Sequence, residues 1–479
     1  MAEPDRSPAC PGHIYPRNPV WLPEAVLMPG TDRPDQRLAE DLWRLSRQPL
    51  QTDVLAKTKI TVLDAIANAI DGSTHPAAEV AARATEDGTG PCTMIGRRRG
   101  VTAPDAAFVH SVMIHSTMRD DFGGGGFAEG THPSSYVVSA ALAIAEQRGL
   151  SGLDFLTSVV VGYEAVGRIG AAAPPTILAR GFRSVPVIGV FGAAAATASL
   201  LGLRPDAVES ALAIAAHLSG GLTHGFPQGT MEPFLHTGLS ARNGVHAALL
   251  AQAGAVTAGD TLAGAAGWCA TLAGESGDWS AHPDDELAIL RVKHKSFPVN
   301  GVHQNTMTLI VEKLRDQPRL RESDIEHVLV RRPSTGPDRI EPAWLKDPPY
   351  QNLLQAQLSA KFTAIAALLR RPISELGYFR DSFDDAEVRA VIERSSFVVG
   401  DGTDIEIVVT LRTGKSVHIS SEKGLGDPSH DLVRDRFLAL SAPYLADLAV
   451  EVGTIIDSLE KVEDITALTE RLRCRATTS

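Results

Sequence analysis

The spacing of apolar residues predicts a mostly helical chain up to about residue 286. Ile60, Leu63 and Ile66 recur every three residues, which places them on one face of a helix. Gly72 follows as a stop signal, so a helical region is predicted over residues 36–72. The same kind of spacing predicts further helices over residues 77–84, 102–118, 135–148, 151–169, 186–201, 207–217 and 240–254. Because these helices are apolar on much of their circumference, we expect them to pack into one large bundle.

One segment, residues 185–203, carries no charged residue and therefore has to be compared with a membrane span. It is rich in Gly and Ala, contains Pro186, and has no second segment like it in the sequence. These features favour a buried helix over a membrane-spanning one.

The pattern changes after Glu286, where shorter stretches rich in β-branched residues predict strands. The predicted strands cover residues 289–294, 326–332, 405–411 and 416–420, and the predicted helices cover 302–315 and 384–394. The last two strands flank a turn at 412–415 and form a hairpin. Helical spacing returns after about residue 431.

These patterns predict a mainly α fold, with a large helical domain and a smaller α+β domain. Because 479 residues exceed what one hydrophobic core usually holds, at least two domains are expected. The expected segments are an N-terminal arm over 1–35, a helical domain over 36–286, an α+β domain over 287–430, and C-terminal helices over 431–479 that return to the helical domain.

Composition narrows the class of protein. The net charge of −12 is spread along the chain, which argues against a nucleic-acid or anionic-membrane partner. The four cysteines are far apart and form no CxxC pair, so neither a cysteine-based metal site nor a disulfide framework is expected. Residues 1–19 are polar and proline-rich and lack the apolar core of a signal peptide. We therefore expect a cytoplasmic protein.

The stretch from His115 to His132 carries the strongest chemical signal. Asp120 and Asp121 are adjacent, and four glycines follow at 123–126 before His132. Asp and His are common proton-transfer groups, and glycines allow the backbone to turn tightly around them. A structural alternative stays open, because an Asp can cap a helix and a His before Pro133 can be a turn residue.

Three further groups of polar residues are candidates for a functional site, and the first would suit an anionic substrate. Lys293, His294 and Lys295 lie near His303 where the helical part gives way to the α+β part. A solvated strand end would give the same pattern. The second group is His224, Glu232 and His236 in a Gly/Pro-rich loop, where His236 fits a helix cap or the core better than a catalyst. The third is Arg183 at a helix start, which indicates either an ion pair or an anion site. Nucleotide-binding, zinc-peptidase and serine-hydrolase motifs are absent from the sequence.

Taken together in order, these and several other motifs resemble the MmgE/PrpD family from about residue 57 to 423. The matching stretches are ITVLDA at 60–65, His115 with Asp120 and Asp121, THPS at 131–134, AALAIAE at 140–146, GYE at 162–164, GFR at 181–183, GAAAA at 192–196, LLG at 200–202, LHTG at 235–238, ARNG at 241–244, KSFP at 295–298 and AQLS at 356–359. Their joint order is specific, although no single stretch is decisive.

The resemblance implies a helical domain with an inserted α+β domain, a homodimer, and catalysis without a metal or an organic cofactor. It also implies a pocket for small polycarboxylates with Asp120, Asp121, His132 and Lys295 as the catalytic groups. Substrate-binding roles are expected for Arg183, His115, His224, His236 and His303.

The chain departs from the family pattern at several of these positions. Met118 stands where some members have an Asp, Phe122 replaces a common Thr, and Arg183 replaces a His. Glu232 or Pro233 stands where a basic residue is usual, and Phe362 replaces a Tyr. A specialised substrate, such as one in a biosynthetic pathway, is therefore expected.

The resulting prediction is a cofactor-independent dehydratase of a hydroxylated di- or tricarboxylate, such as 2-methylcitrate or a biosynthetic analogue. Decarboxylation of a cis-aconitate-like acid, or epimerisation at the same site, is the alternative. A relative that binds polycarboxylates without turning them over is the alternative from another class.

Overall fold

The computed structural model describes residues 33–123, 130–280, 286–334, 344–400, 404–421 and 426–473. The glycines at 124–126 and nearly all of the predicted N-terminal arm lie outside these residues. Among the described helices, none is both long enough and apolar enough to span a membrane.

The predicted helices are present, although the region 36–72 is divided, and the described residues form elements with the following bounds. The α-helices are α1 (Pro34–Leu45), α2 (Thr52–Gly72), α3 (Pro76–Ala84), α4 (Ala103–Ser116), α5 (Pro133–Arg148), α6 (Gly152–Ala172), α7 (Thr176–Ala179), α8 (Ser184–Leu200), α9 (Pro205–His217), α10 (Gly225–Gln228), α11 (Glu232–Gln252), α12 (Trp268–Ala273), α13 (Ala288–Arg291), α14 (Gln304–Leu314), α15 (Leu353–Leu358), α16 (Ala360–Leu368), α17 (Leu376–Asp381), α18 (Ala386–Ile392), α19 (His430–Leu445), α20 (Leu448–Asp457) and α21 (Thr466–Arg473). Short 3-10 turns cover Gly301–His303, Glu322–Asp324 and Leu459–Lys461. The strands are β1 (Cys92–Thr93), β2 (Gly100–Val101), β3 (Ile325–Pro333), β4 (Ser395–Gly400), β5 (Ile405–Leu411) and β6 (Ser416–Ser421).

Local capping fixes the ends of the helices that carry the site. The Thr102 hydroxyl accepts from the backbone N–H of Asp105 at the start of α4. Pro133 occupies the first turn of α5, where its missing N–H costs nothing. Gly149 ends α5 in the left-handed conformation with φ 59°, which satisfies free carbonyls of the last turn.

The bundle core is formed chiefly by α4, α5, α6, α8 and α11. Helix α6 crosses α8 at two glycines, and a Cβ added to Gly162 would lie 2.8 Å from the Gly192 carbonyl oxygen. Only glycine allows the two backbones to approach this closely. Almost every residue of α8 is buried, so the uncharged segment is a buried helix, as predicted.

The four-stranded sheet has the order β4-β3-β5-β6. Strand β3 pairs in parallel with β4 and antiparallel with β5, and the β5–β6 pairing confirms the predicted hairpin. Ile405, Ile407 and Val409 alternate along β5 and are buried, which gives the sheet its apolar face. Helices α14, α16 and α18 bury their apolar residues with this face in a second hydrophobic cluster.

Some predicted elements differ from the structure. The predicted strand at 289–294 is wrong: Ala288–Arg291 form a helical turn, and Lys293 then makes one isolated antiparallel pair with Phe122. The single helical region at 36–72 is divided near Pro49, which lacks the N–H that a continuous helix needs. Strand β4 was missed because two of its residues, Val398 and Val399, are exposed, so its pattern does not alternate.

Residues Pro34–Ser479 form one compact unit, within which the buried apolar residues form two clusters. The finer division into a helical domain and an inserted α+β domain remains a prediction. Arg436 of α19 donates to the Lys295 carbonyl and forms an ion pair with Asp64 of α2. These contacts connect the segment around residue 295 to two helices of the bundle.

Candidate functional site

The site begins where α4 ends. His115 lies in the last turn of this helix, and Met118 then adopts the left-handed conformation with φ 58°. This turn reverses the chain and carries Asp120 and Asp121 into the interior, where both are fully buried. The two carboxylates of the predicted loop are therefore buried in the protein interior.

Asp120 is the centre of a cluster that it forms with His115, His132 and Lys295. Its Oδ2 lies 2.7 Å from Nδ1 of His115, and its Oδ1 lies 3.3 Å from Nζ of Lys295. The same Oδ1 lies 3.6 Å from Nδ1 of His132. One buried carboxylate thus contacts all three of the other groups and neutralises the lysine charge.

Asp121 points elsewhere. Its Oδ1 accepts from the Ser134 backbone N–H at 2.9 Å, and its Oδ2 accepts from the Tyr163 hydroxyl at 2.6 Å. Burial raises the pKa of Asp121, while these hydrogen bonds lower it. Both carboxylate oxygens are committed to α5 and α6, so this side chain anchors the loop.

His132 is oriented by a backbone carbonyl. Its Nδ1 lies 2.7 Å from the carbonyl oxygen of Asp121, and a carbonyl can only accept, so Nδ1 carries the hydrogen. Burial lowers the pKa of His132 well below its usual value, and the nearby Lys295 charge lowers it further. A neutral ring then has its lone pair on Nε2.

The two ring nitrogens of His115 face groups of opposite charge. Arg183 lies with Nη2 at 2.8 Å from Nε2 of His115, and a guanidinium has only donors. Nε2 must therefore be the accepting nitrogen, and Nδ1–H donates to Asp120. Burial lowers the pKa of His115 well below its usual value, followed by the effect of Arg183. His115 is thus a neutral link between a cation and a carboxylate.

The two cations of the site are buried. The Lys295 ammonium donates to the Met118 carbonyl at 3.0 Å in addition to Asp120, and burial lowers its pKa. The Arg183 guanidinium also donates to the Pro233 carbonyl and lies 4.9 Å from the centre of the Phe226 ring. Burial lowers the pKa of Arg183 to about 10, against the raising effect of Asp120. Arg183 therefore stays charged near neutral pH, and Lys295 lies in an ion pair with Asp120.

The other predicted residues take different positions. His236 is partly buried beside Arg183; burial lowers its pKa to about 4, and its Nδ1 has no hydrogen-bond partner among the described residues. His224 is exposed at the start of α10. His303 is buried, with Nε2 at 2.9 Å from the Leu358 carbonyl and Nδ1 at 3.1 Å from Arg332. The structure does not bring His224 or His303 into the cluster.

His115, Asp120 and His132 also have the composition of a metal site, since their donor atoms lie within 4.8 Å of one another. The facing nitrogens of both histidines carry hydrogens in the tautomers derived above. The Lys295 ammonium lies 3.3 Å from Asp120 and 3.4 Å from Nδ1 of His132, so a cation already fills this space. The donor set therefore fits an ion pair better than a divalent metal.

The predictions from the sequence did not include Tyr163 or three backbone carbonyls that hold the site together. The carbonyls are those of Met118, Asp121 and Pro233, which hold Lys295, His132 and Arg183. Tyr163 lies within the GYE stretch that matched the family, so a signal for it was present. The carbonyls left no signal, because any residue type supplies the same atom.

Comparison with known proteins places these residues in context. The family model described as the MmgE/PrpD N-terminal domain matches residues 36–279. The cis-aconitate decarboxylase-like protein oryM of Aspergillus oryzae is 38% identical over 226 residues, which cover 45% of this chain and 46% of that protein. The cis-aconitate decarboxylase of Aspergillus terreus is 26% identical over 90% of this chain and 94% of its own length.

A third relative extends the similarity to animals. The cis-aconitate decarboxylase of Mus musculus is 27% identical over 77% of this chain and 78% of its own length. The family match covers just over half of the 479 residues and includes every cluster residue except Lys295. The chain belongs to the MmgE/PrpD family.

Proposed function

We propose that the protein is a lyase that decarboxylates an unsaturated polycarboxylate of the cis-aconitate type. The observation that carries this proposal is the buried cluster around Asp120, whose carboxylate contacts Lys295, His132 and His115, while His115 links it to Arg183. Buried cations bind carboxylates, and an imidazole that has taken up a proton can deliver it.

The reaction must stabilise an electron pair. When the carbon–carbon bond to the departing CO2 breaks, its electrons spread over the adjoining double bond and the next carboxylate. A fixed ammonium or guanidinium lowers the energy of this charge, and it acts strongly in a site that excludes water. Lys295 and Arg183 are both fixed by backbone carbonyls and are at most 7% exposed.

The electron pair must then take up a proton at the far carbon, giving a methylene-substituted acid. We assign this proton to Nε2 of His132. Its ring is neutral in the free site, because burial and Lys295 both lower its pKa. A substrate with several negative charges reverses the sign of the local field and raises that pKa. Overall, the substrate and one proton become the product and CO2.

Decarboxylation replaces dehydration as the first choice because the relatives that align with 77–90% of this chain are named cis-aconitate decarboxylases. The dehydratase prediction remains the second outcome of the same test, since loss of hydroxide would use the same lysine and histidine. In either reaction the side chains supply the charges and the proton, so we propose catalysis without a cofactor. A homodimeric, cytoplasmic enzyme remains part of the proposal.

The test is incubation of the purified protein with cis-aconitate in D2O, followed by proton NMR and by measurement of CO2. We expect new signals of a terminal methylene group, one deuterium in the product, and one CO2 per turnover. Lys295→Met and His132→Asn should each lower the rate at least about a hundredfold. The surface variant Lys313→Met serves as the matched control, because Lys313 is exposed on α14.

Other results would lead to other conclusions. Alkene formation from citrate or 2-methylcitrate, without CO2, would establish the dehydratase. Deuterium exchange alone would indicate an epimerase. Binding of these acids without any turnover would support the non-catalytic relative, and full activity in both the Lys295 and His132 variants would overturn the site assignment.

A further inference from the structure

A cavity of about 300 Å3 adjoins the cluster without including it. Its lining contains His294 and Ser296, the neighbours of Lys295 in sequence, together with Phe122, Gly301, Thr308 and Leu432. None of the cluster residues lines it. The cavity is large enough for several carbon atoms, at the lower end of volumes seen for ligand pockets.

The side chain of Phe122 lies between the cavity and the cluster. The Lys295 ammonium lies 5.8 Å from the centre of its ring, while the ring also lines the cavity. The phenyl group therefore borders both spaces.

This ring is held in place by its backbone and by a glycine. The N–H and C=O of Phe122 both pair with Lys293 at 2.9 Å. A Cβ added to Gly301 would lie 3.3 Å from two ring carbons, so the backbone at 301 packs directly against the phenyl group. A ring held on two sides separates the cavity from the Lys295 ammonium.

We propose that Phe122 is the specificity-determining residue of the site, and that it limits the enzyme to compact acids by closing the cavity. This inference rests on the proposed function and names its substrate class. Carboxylates remain with Lys295 and Arg183, while an alkyl branch on the acid would have to occupy the space behind the ring. Leu432, Pro428 and Gly301 supply apolar surface there, beside the charged residues Lys293, Glu312 and Asp427.

The test compares Phe122→Ala with the wild-type protein on two non-reacting acids. The probes are tricarballylate and a tricarballylate that carries a propyl group on one terminal methylene carbon, each titrated calorimetrically. We expect wild type to prefer the unsubstituted acid. Phe122→Ala should move the affinity ratio toward the propyl acid on the order of tenfold or more. Turnover of cis-aconitate and of its propyl analogue should shift in the same direction.

Three further variants serve as controls for this test. Phe122→Leu removes less of the ring and should give a smaller shift, which matters if the alanine variant folds poorly. Thr308→Leu added to Phe122→Ala refills the cavity and should reverse the gain. Phe397→Ala makes the same chemical change on β4, outside both the cluster and the cavity lining, and should leave the ratio unchanged.

An unchanged affinity ratio in both Phe122 variants overturns the proposal, as does wild-type preference for the propyl acid. A gain that Thr308→Leu does not reverse also overturns it, because the alkyl group would then lie elsewhere. If wild type shows no turnover of cis-aconitate, the proposed function fails. The binding ratio still decides the role of Phe122.

Discussion

The hydroxyl of Tyr163 donates to Oδ2 of Asp121 at 2.6 Å, and this contact separates the roles of two adjacent carboxylates. Asp121 uses both side-chain oxygens to hold α5 and α6 to the loop. Asp120 directs its own oxygens to His115 and Lys295. Asp121 therefore anchors the loop, whereas Asp120 contacts the groups that we propose to react.

The first prediction compares Asp120→Asn with Asp121→Asn. Loss of the Asp120 charge leaves Lys295 without its counter-ion, so turnover should fall at least about a hundredfold. In Asp121→Asn the backbone carbonyl that orients His132 is retained, and turnover should stay within about tenfold. Steady-state kinetics on both variants decides the matter, and equal losses would contradict the division of roles.

The second prediction concerns the anchor itself. Tyr163→Phe leaves one oxygen of a buried carboxylate without its donor, which should lower the free energy of unfolding by about 1.5–3 kcal/mol. Urea denaturation measures this loss. Tyr444→Phe, a change outside the cluster, is the control. If the two variants are equally stable, the hydroxyl of Tyr163 does not hold the loop.

The third prediction concerns Arg183. Arg183→Met removes the donor to Nε2 of His115, so the protonated nitrogen of that ring is no longer fixed. Nitrogen-15 NMR should show a neutral ring with hydrogen on Nδ1 in wild type and a mixture of tautomers in the variant. If Arg183 also binds a substrate carboxylate, KM should rise more than kcat falls. The exposed neighbour Arg180 provides the control Arg180→Met. A wild-type ring with hydrogen on Nε2 would refute the assignment.

The fourth prediction links binding to protons. Because the pKa of His132 lies well below its usual value in the free site and rises when a polyanion binds, tricarballylate binding should take up a proton. The affinity should consequently weaken as pH rises from 6 to 8. Calorimetry in buffers with different ionisation enthalpies measures the uptake, which His132→Asn should reduce. Binding without proton uptake in wild type would count against His132 as the proton donor.

The fifth prediction concerns stability and pH. Burial lowers the pKa of His110 to about 4, and that of His303 to about 3. In the unfolded chain a histidine has a pKa near 6.5, so below that pH the unfolded chain binds more protons at these two residues than the folded protein does. The free energy of unfolding therefore falls as pH drops below about 6.5. Asp35, whose pKa burial raises to about 6, acts in the opposite direction.

His110 offers a direct check, because its Nε2 accepts from the Ile95 N–H and it lies away from the site. His110→Gln keeps an acceptor and removes the titration, which should reduce the slope of stability against pH by up to about 1.4 kcal/mol per pH unit. Urea midpoints at pH 5, 6 and 7 give the slope. An unchanged slope would show that His110 does not contribute.

The sequence predicted the helical core and the β5–β6 hairpin well, because burial imposes regular spacing on both. The catalytic roles predicted for Asp120, Asp121, His132 and Lys295 stay a prediction, and the structure brings Asp120, His132 and Lys295 together. The sequence could not separate Asp120 from Asp121, since their directions depend on the left-handed turn at Met118, which nothing in that residue type announces. His303 was chosen for its position near Lys295, but its partners come from Leu358 and Arg332, far away in sequence.

The carbonyl oxygens of Met118, Asp121 and Pro233 carry a consequence for how this site can evolve. They hold the two cations and the imidazole, yet they belong to the peptide backbone and survive any side-chain replacement that keeps the chain path. From the sequence resemblance, Met118 and either Glu232 or Pro233 are expected to depart from the family pattern. A substitution at these positions leaves the backbone carbonyls and the groups they bind in place, while it changes the side chains around them. Divergence of substrate can thus proceed without rebuilding the charges that do the chemistry.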